Sequence, residues 1–242
     1  MTVFMAESSL THPLLLRSRC DKRLSVGVGA LFFGLAGCAT FSTHLTPRPT
    51  PEGRMDVQAN FDVVQLTEDT HKNNFGPNVE IGARYGINEI VDVGAKVNVF
   101  GGEVNSRVLL VGQPGFDLAI VPGVGFTSGE LTSGHAQSFI TTFSLPVIAG
   151  VNFGESVLIF GTKTYVHVAL RDATETTNGV TTTYPGEVVL YPGGVVGVSL
   201  PIRDNFALFP EVNVLFPYLT DEAKFARPVF QGGVAFQFRS GN

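Results

Sequence analysis

A chain of 242 residues is long enough for one β domain, and 44% hydrophobic against 15% charged residues leaves little polar surface for a water-facing exterior. A formal net charge of −5 gives no basis for nucleic-acid binding. The two cysteines, Cys20 and Cys38, make neither a disulfide framework nor a paired zinc site.

The first element in chain order is an export signal. Arg17, Arg19, Lys22 and Arg23 precede an apolar run from Leu24 to Leu35, too short to span a bilayer as a permanent helix. The run ends Leu35-Ala36-Gly37-Cys38, which resembles a bacterial lipobox. That resemblance implies a lipoprotein signal peptide over 1–37, diacylglycerol on the Cys38 thiol and an acylated new N-terminus. Residues 38–53 are then expected to be a lipidated linker. Thr46 to Glu52 (TPRPTPE) is rich in Pro and Thr, has no periodicity and offers nothing with which to build a core.

From Arg54 onward the chain alternates. About ten strand-like segments follow, near 54–66, 76–87, 90–100, 104–111, 115–127, 137–153, 157–169, 187–202, 205–216 and 228–238. Gly 28 and Phe 20, with abundant Val and Thr, favour strands and tight turns. The connections alternate in length as well. Those at 67–75, 128–136, 170–186 and 217–227 are long and polar, with 101–103 a short exception. The others, around Asn88, Gln113-Pro114, Gly154 to Ser156 and Arg203-Asp204, are short.

Two segments carry matching apolar stripes. One face of 115–127 reads Phe116, Leu118, Ile120, Pro122, Val124, Phe126; one face of 205–216 reads Phe206, Leu208, Pro210, Val212, Val214, Phe216. Each stripe begins and ends on an aromatic. At ~3.3 Å per residue and a tilt of ~40°, the spacing covers about 25 Å, the height of a lipid-facing band. Aromatic girdles are therefore expected at Tyr85, Phe116, Phe153, Phe206 and Phe238 on the short-turn side, and at Phe126, Phe139, Phe216 and Phe230 on the loop side.

The opposite face carries charge: Glu80 and Arg84, then Asp92 and Lys96, joined by parity by Lys163 and Glu211. A turn on Ile87-Asn88-Glu89 sets Arg84 opposite Asp92 and Glu80 opposite Lys96, two complementary pairs. The last strand, PVFQGGVAFQF from Pro228 to Phe238, alternates likewise, with Phe230, Val234, Phe236 and Phe238 on one face. Its Gln231, Gly233, Phe236 and Phe238 resemble the C-terminal signal of bacterial outer-membrane β-barrel proteins, although Arg239 to Asn242 follow. The resemblance implies outer-membrane lipid and the barrel-assembly machinery as partners.

Catalytic motifs are missing. The chain has no HExxH, no phosphate loop and no nucleophile elbow, and no catalytic, metal or cofactor residue is assigned. His135 with Ser138 is the nearest approach to a catalytic pair, without an orienting acid or oxyanion hole; solvated loop residues are the simpler account. The expected fold is a transmembrane antiparallel up-and-down β-barrel of about ten strands over 54–242, in the bacterial outer membrane. The expected function is non-enzymatic, with a narrow charged lumen and a structural or limited-permeation role. The alternatives are a barrel enzyme acting on lipid or envelope substrates and a periplasmic lipocalin-like carrier, whose lumen would instead be apolar. The sequence leaves the oligomeric state open.

Overall fold

The computed structural model describes residues 41–69, 72–129, 138–169, 173–177, 180–184, 188–220 and 223–240. Cys20, Cys38, His135 and the export signal lie outside them. The strands are β1 (Met55–Asp69), β2 (Lys72–Gly86), β3 (Val91–Asn98), β4 (Gly101–Gln113), β5 (Phe116–Ile120), β6 (Gly123–Gly129), β7 (Ser138–Ser144) and β8 (Val147–Phe153). They continue with β9 (Ser156–Ala169), β10 (Ala173–Thr177), β11 (Val180–Tyr184), β12 (Val188–Arg203), β13 (Phe206–Leu215), β14 (Tyr218–Leu219), β15 (Lys224–Phe225) and β16 (Val229–Arg239).

Every ladder is antiparallel, and β1 pairs with both β2 and β16, so the sheet closes on itself. Two expected segments are each split by a proline. Pro122 separates β5 from β6 and Pro146 separates β7 from β8, because proline has no N–H to give a ladder. Counting each split pair as one crossing, the barrel has ten strands.

The connections are more ordered than their composition suggests. The expected loop 67–75 is largely strand, with Asp69 paired to Lys72. The expected turn 101–103 lies inside β4, and the chain reverses earlier, at Val99-Phe100, where Asn98 Oδ1 accepts from the N–H groups of Phe100 and Gly101 at 2.8 Å each. The Thr-rich connection 170–186 contains the hairpin β10–β11, and 217–227 contains β14 and β15.

One register differs from expectation. Gly86 pairs with Asp92, Arg84 with Gly94, Gly82 with Lys96 and Glu80 with Asn98, two residues away from the direct pairing of opposite charges. The cause is the turn. Ile87 to Ile90 form the bend, and Asn88 Oδ1 accepts from Ile90 N–H and Val91 N–H at 2.8 Å each, which makes it longer than a turn centred on Asn88. A shift of two keeps every side chain on its own face.

The faces are as the alternation predicts. Asp56, Asp62, Glu80, Arg84, Asp92, Lys96, Lys163, Glu211 and Asn213 are all buried, while Val97, Val124, Val196 and Val212 are exposed. The inward face is not uniformly polar. Ala119, Val121, Ile148, Ile159, Val195, Phe209 and Ala235 pack together inside the barrel around Leu45.

The outward face makes a direct prediction. Val212, 58% exposed near the middle of its stripe, should tolerate arginine poorly. Val212→Arg is expected to destabilise the inserted protein by ~2–4 kcal/mol in a folding titration into bilayers. Asn213→Arg is not a permissive control: Asn213 is buried and bonded to Lys163 Nζ, so an arginine there would set a second cation against the first.

Candidate functional site

Of the stretch expected to be a lipidated linker, residues 38–53, the part from 41 to 50 runs inside the barrel. Phe41, Ser42, His44, Leu45, Thr46 and Thr50 are all buried. Pro47 and Pro49 fix φ and supply no N–H, which keeps this stretch out of helix and out of the ladder. A buried chain with no ladder must find other partners for its backbone N–H and C=O groups. The barrel wall supplies them.

Near the middle of the barrel, Glu211 on β13 accepts from Thr43 N–H at 2.9 Å, His44 N–H at 2.7 Å and the Thr43 hydroxyl at 2.9 Å. Lys163 on β9 donates to the Phe41 carbonyl at 2.7 Å and to Glu211 at 2.9 Å. Lys96 on β3 donates to the Ser42 carbonyl at 2.8 Å and lies 3.5 Å from Glu80 and 3.7 Å from Glu103. His44 adopts a φ of 43°, unusual for a residue with a Cβ. Its ring bridges Asp62 Oδ1 at 2.9 Å and the Phe209 carbonyl at 3.2 Å, contacts that hold the conformation.

Toward the short turns, Asp92 lies between two guanidinium groups. Arg84 Nε donates to one carboxylate oxygen at 3.0 Å and Arg107 Nε to the other at 3.0 Å, and each arginine adds an Nη2 contact to the same oxygen. Asp92 also accepts from Thr50 N–H at 2.7 Å, and Arg107 donates to the Thr46 carbonyl at 2.6 Å. Gly94 makes this possible: a Cβ there would lie 2.6 Å from Arg84 Nη1. Each of these three groups touches an opposite charge and is hydrogen-bonded, the condition under which ions persist away from water.

Toward the loops, the packing is aromatic. The Phe41 ring lies 5.1 Å from that of Tyr165, 5.5 Å from that of His167 and 5.1 Å from that of Tyr191. Tyr165 hydroxyl donates to the Phe41 carbonyl at 2.9 Å. His167, buried on β9, stacks on the Phe41 ring and packs against Tyr191, and its Nε2 has no hydrogen-bond partner.

The expected charges therefore do meet, but not as isolated pairs on neighbouring strands. Arg84–Asp92 and Glu80–Lys96 contact diagonally, and each belongs to a set that also holds residues 41–50. Arg107, Glu103 and His44 were not singled out by the sequence analysis. Arg107 and Glu103 sit at inward parity on β4 and were findable that way; His44 gives no local signal. The side chain of Ser138 is not among those described.

The aromatics expected as girdles all lie on strands or directly after one. Tyr85, Phe153 and Phe238 are exposed at the short-turn end, with Phe116 and Phe206 half-buried beside them; Phe126, Phe139, Phe216 and Phe230 are exposed at the loop end. Among the described residues no group of His, Cys, Asp and Glu is arranged to hold a metal ion.

No protein-family model and no curated protein sequence matches this chain. Solved structures do. The translocator domain of the autotransporter NalP from Neisseria meningitidis is 14% identical, with 79% of this chain and 90% of that one covered, at a TM-score of 0.48. The outer-membrane protease OmpT from Escherichia coli is 9% identical over 82% and 100%, at 0.45, and Neisserial surface protein A is 13% identical over 78% and 98%, at 0.36. At such identities the likeness concerns the fold alone. With a closed ten-stranded antiparallel sheet, apolar outside and charged within, this chain has the fold of the bacterial outer-membrane β-barrel proteins.

Proposed function

We propose that this protein is a non-enzymatic outer-membrane barrel lipoprotein whose charged lumen is held closed by its own residues 41–50, with a structural or limited-permeation role. The observation that carries this reading is that wall charges on β3, β4, β9 and β13 are bonded to the backbone of that segment. Ions crossing the barrel would have to displace it. The outward Val and Phe band meets outer-membrane lipid, and the last strand carries the signal for the barrel-assembly machinery. Single-channel recording of the full chain in planar bilayers tests the closure. The expected record is a low conductance in small, irregular steps; large, stable, porin-like conductance contradicts the reading.

Lipid anchoring at Cys38 is a separate part of the proposal. Mass spectrometry of the exported protein should find diacylglycerol on Cys38, and Cys38→Ala should abolish it and leave the signal uncleaved or cleaved elsewhere. An unmodified wild type removes the anchor but not the barrel, which rests on residues 54–240.

A further inference from the structure

His44 is the one side chain among residues 41–50 that ordinarily titrates near neutral pH, and it is fully buried. Both of its ring nitrogens face acceptors. Nδ1 lies 3.2 Å from the Phe209 carbonyl on β13, which can only accept, so Nδ1 carries a hydrogen. Nε2 lies 2.9 Å from Asp62 Oδ1 on β1, and an ionised carboxylate can only accept as well. A ring with hydrogen on both nitrogens is an imidazolium, so the contact is a cation on a carboxylate. Asp62 is itself buried, and its other oxygen, Oδ2, has no hydrogen-bond partner. Gly233 on β16 leaves space for this carboxylate, because a Cβ there would collide with Asp62 Oδ1. The charges acting on the ring are Asp62 on β1, Glu211 on β13 and the opposing Lys163 on β9. Glu211 approaches through the His44 N–H at 2.7 Å, and Lys163 stands 2.9 Å behind it.

We infer that His44 is a protonation-dependent clasp: as an imidazolium it pins residues 41–50 to β1 and β13, and loss of one ring proton loosens the segment and raises permeation through the lumen. The inference rests on the closed-lumen reading given above. In this step the ring gives one proton to water and Asp62 keeps its charge. One ring nitrogen then turns a lone pair toward an acceptor, either the carboxylate or the Phe209 carbonyl, and an attractive contact becomes a repulsive one. A buried carboxylate left without a donor is costly, and movement of the segment lets water reach it. The φ of 43° at His44, held by the two ring bonds, loses its support in the same step. The sign follows from the chemistry: the clasp is complete below the titration of the ring and is lost as the pH rises through it.

Two measurements on the full chain test the clasp. The first reads the ring itself, by nitrogen NMR of isotope-labelled wild type in lipid nanodiscs, with the His44 signals assigned by their loss in His44→Gln. Both ring nitrogens are expected in the N–H state at about pH 5, with one hydrogen lost as the pH is raised. A neutral ring at that pH, as when Asp62 holds the shared proton, overturns the clasp. The second is single-channel recording in planar bilayers over the same pH series. The expected record is small, irregular steps while the ring is charged and a several-fold higher mean conductance once it is neutral. The rise should stay below that of Glu211→Ala, because Glu211 still holds the Thr43 and His44 N–H groups. His44→Gln and Asp62→Asn should each conduct alike across the series, without the step. A wild type that stays closed after the ring has lost its proton overturns the switch. So does a step that persists in His44→Gln, which leaves Lys96, Lys163 and the wall carboxylates in place. Strong conductance at every pH overturns the closed-lumen reading instead, and the ring signals tell that failure apart from failure of the clasp.

Discussion

Glu211→Ala is expected to give a barrel that still inserts but conducts far more than the wild type. Glu211 is 2% exposed and holds Thr43 N–H, His44 N–H, the Thr43 hydroxyl, Lys163 and the Asn213 amide, the last at 2.9 Å. Removing it leaves the Lys163 ammonium without its carboxylate, a loss of about 3–5 kcal/mol when a buried pair is broken. Two backbone N–H groups also lose their acceptor, at about 1–3 kcal/mol each if they stay dry. The strands have a cheaper response than unfolding: residues 41–50 can leave the wall and let water reach these groups. The free energy lost is therefore expected to appear mainly as release of the segment and only partly as a lower folding midpoint. Glu211→Gln keeps an acceptor but not the charge, and should fall between. Single-channel recording and a folding titration on the same preparations check both parts. A Glu211→Ala barrel with wild-type conductance and wild-type midpoint would show that the segment is held elsewhere.

The second large effect belongs to Asp92. It is fully buried, and Arg84 and Arg107 grip one oxygen each. Asp92→Asn removes the one negative charge between two guanidinium groups. It also replaces one acceptor oxygen by a donor. A destabilisation of about 3–5 kcal/mol is expected in a folding titration into bilayers. The double variant Asp92→Asn with Arg107→Gln should lose less than the sum of the two single losses, since it removes one of the two uncompensated cations. Arg84 would still have Asn105 as a neighbour. Strict additivity in this cycle would mean that the three residues do not act as one unit.

What could be read from the chain alone follows from the period of two. Side-chain parity survives any even shift, so the inward placement of Glu80, Arg84, Asp92 and Lys96 held although their strands pair two residues away from the expected register. The strand number and the outward side of the stripes were legible for the same reason: alternation is a local property. Registers were not, because Asn88 and Asn98 each set a turn through side-chain bonds to the next N–H groups, and one residue added to a turn moves a whole ladder. The polar composition of 67–75 and 170–186 likewise hid strand pairs, since hairpins outside the lipid band need no apolar face.

The lumen segment was the least legible part. Its composition (FSTHLTPRPT) has neither period, and apart from the Thr46 hydroxyl, which donates to the Arg48 carbonyl at 3.3 Å, its backbone is bonded from far along the chain. Its partners lie far along the chain: Asp62 at 18 residues from His44, Glu211 at 168 from Thr43, Gln231 at 190 from Phe41. The sequence by itself determined which side of each strand meets lipid and which meets the interior, because that choice repeats every two residues. Only the closed barrel decided what the interior charges bind. Closure brings Lys163, Glu211, Lys96, Arg107 and Asp92 from four strands around one axis, and there a proline-rich chain with unpaired N–H and C=O groups satisfies them as they satisfy it.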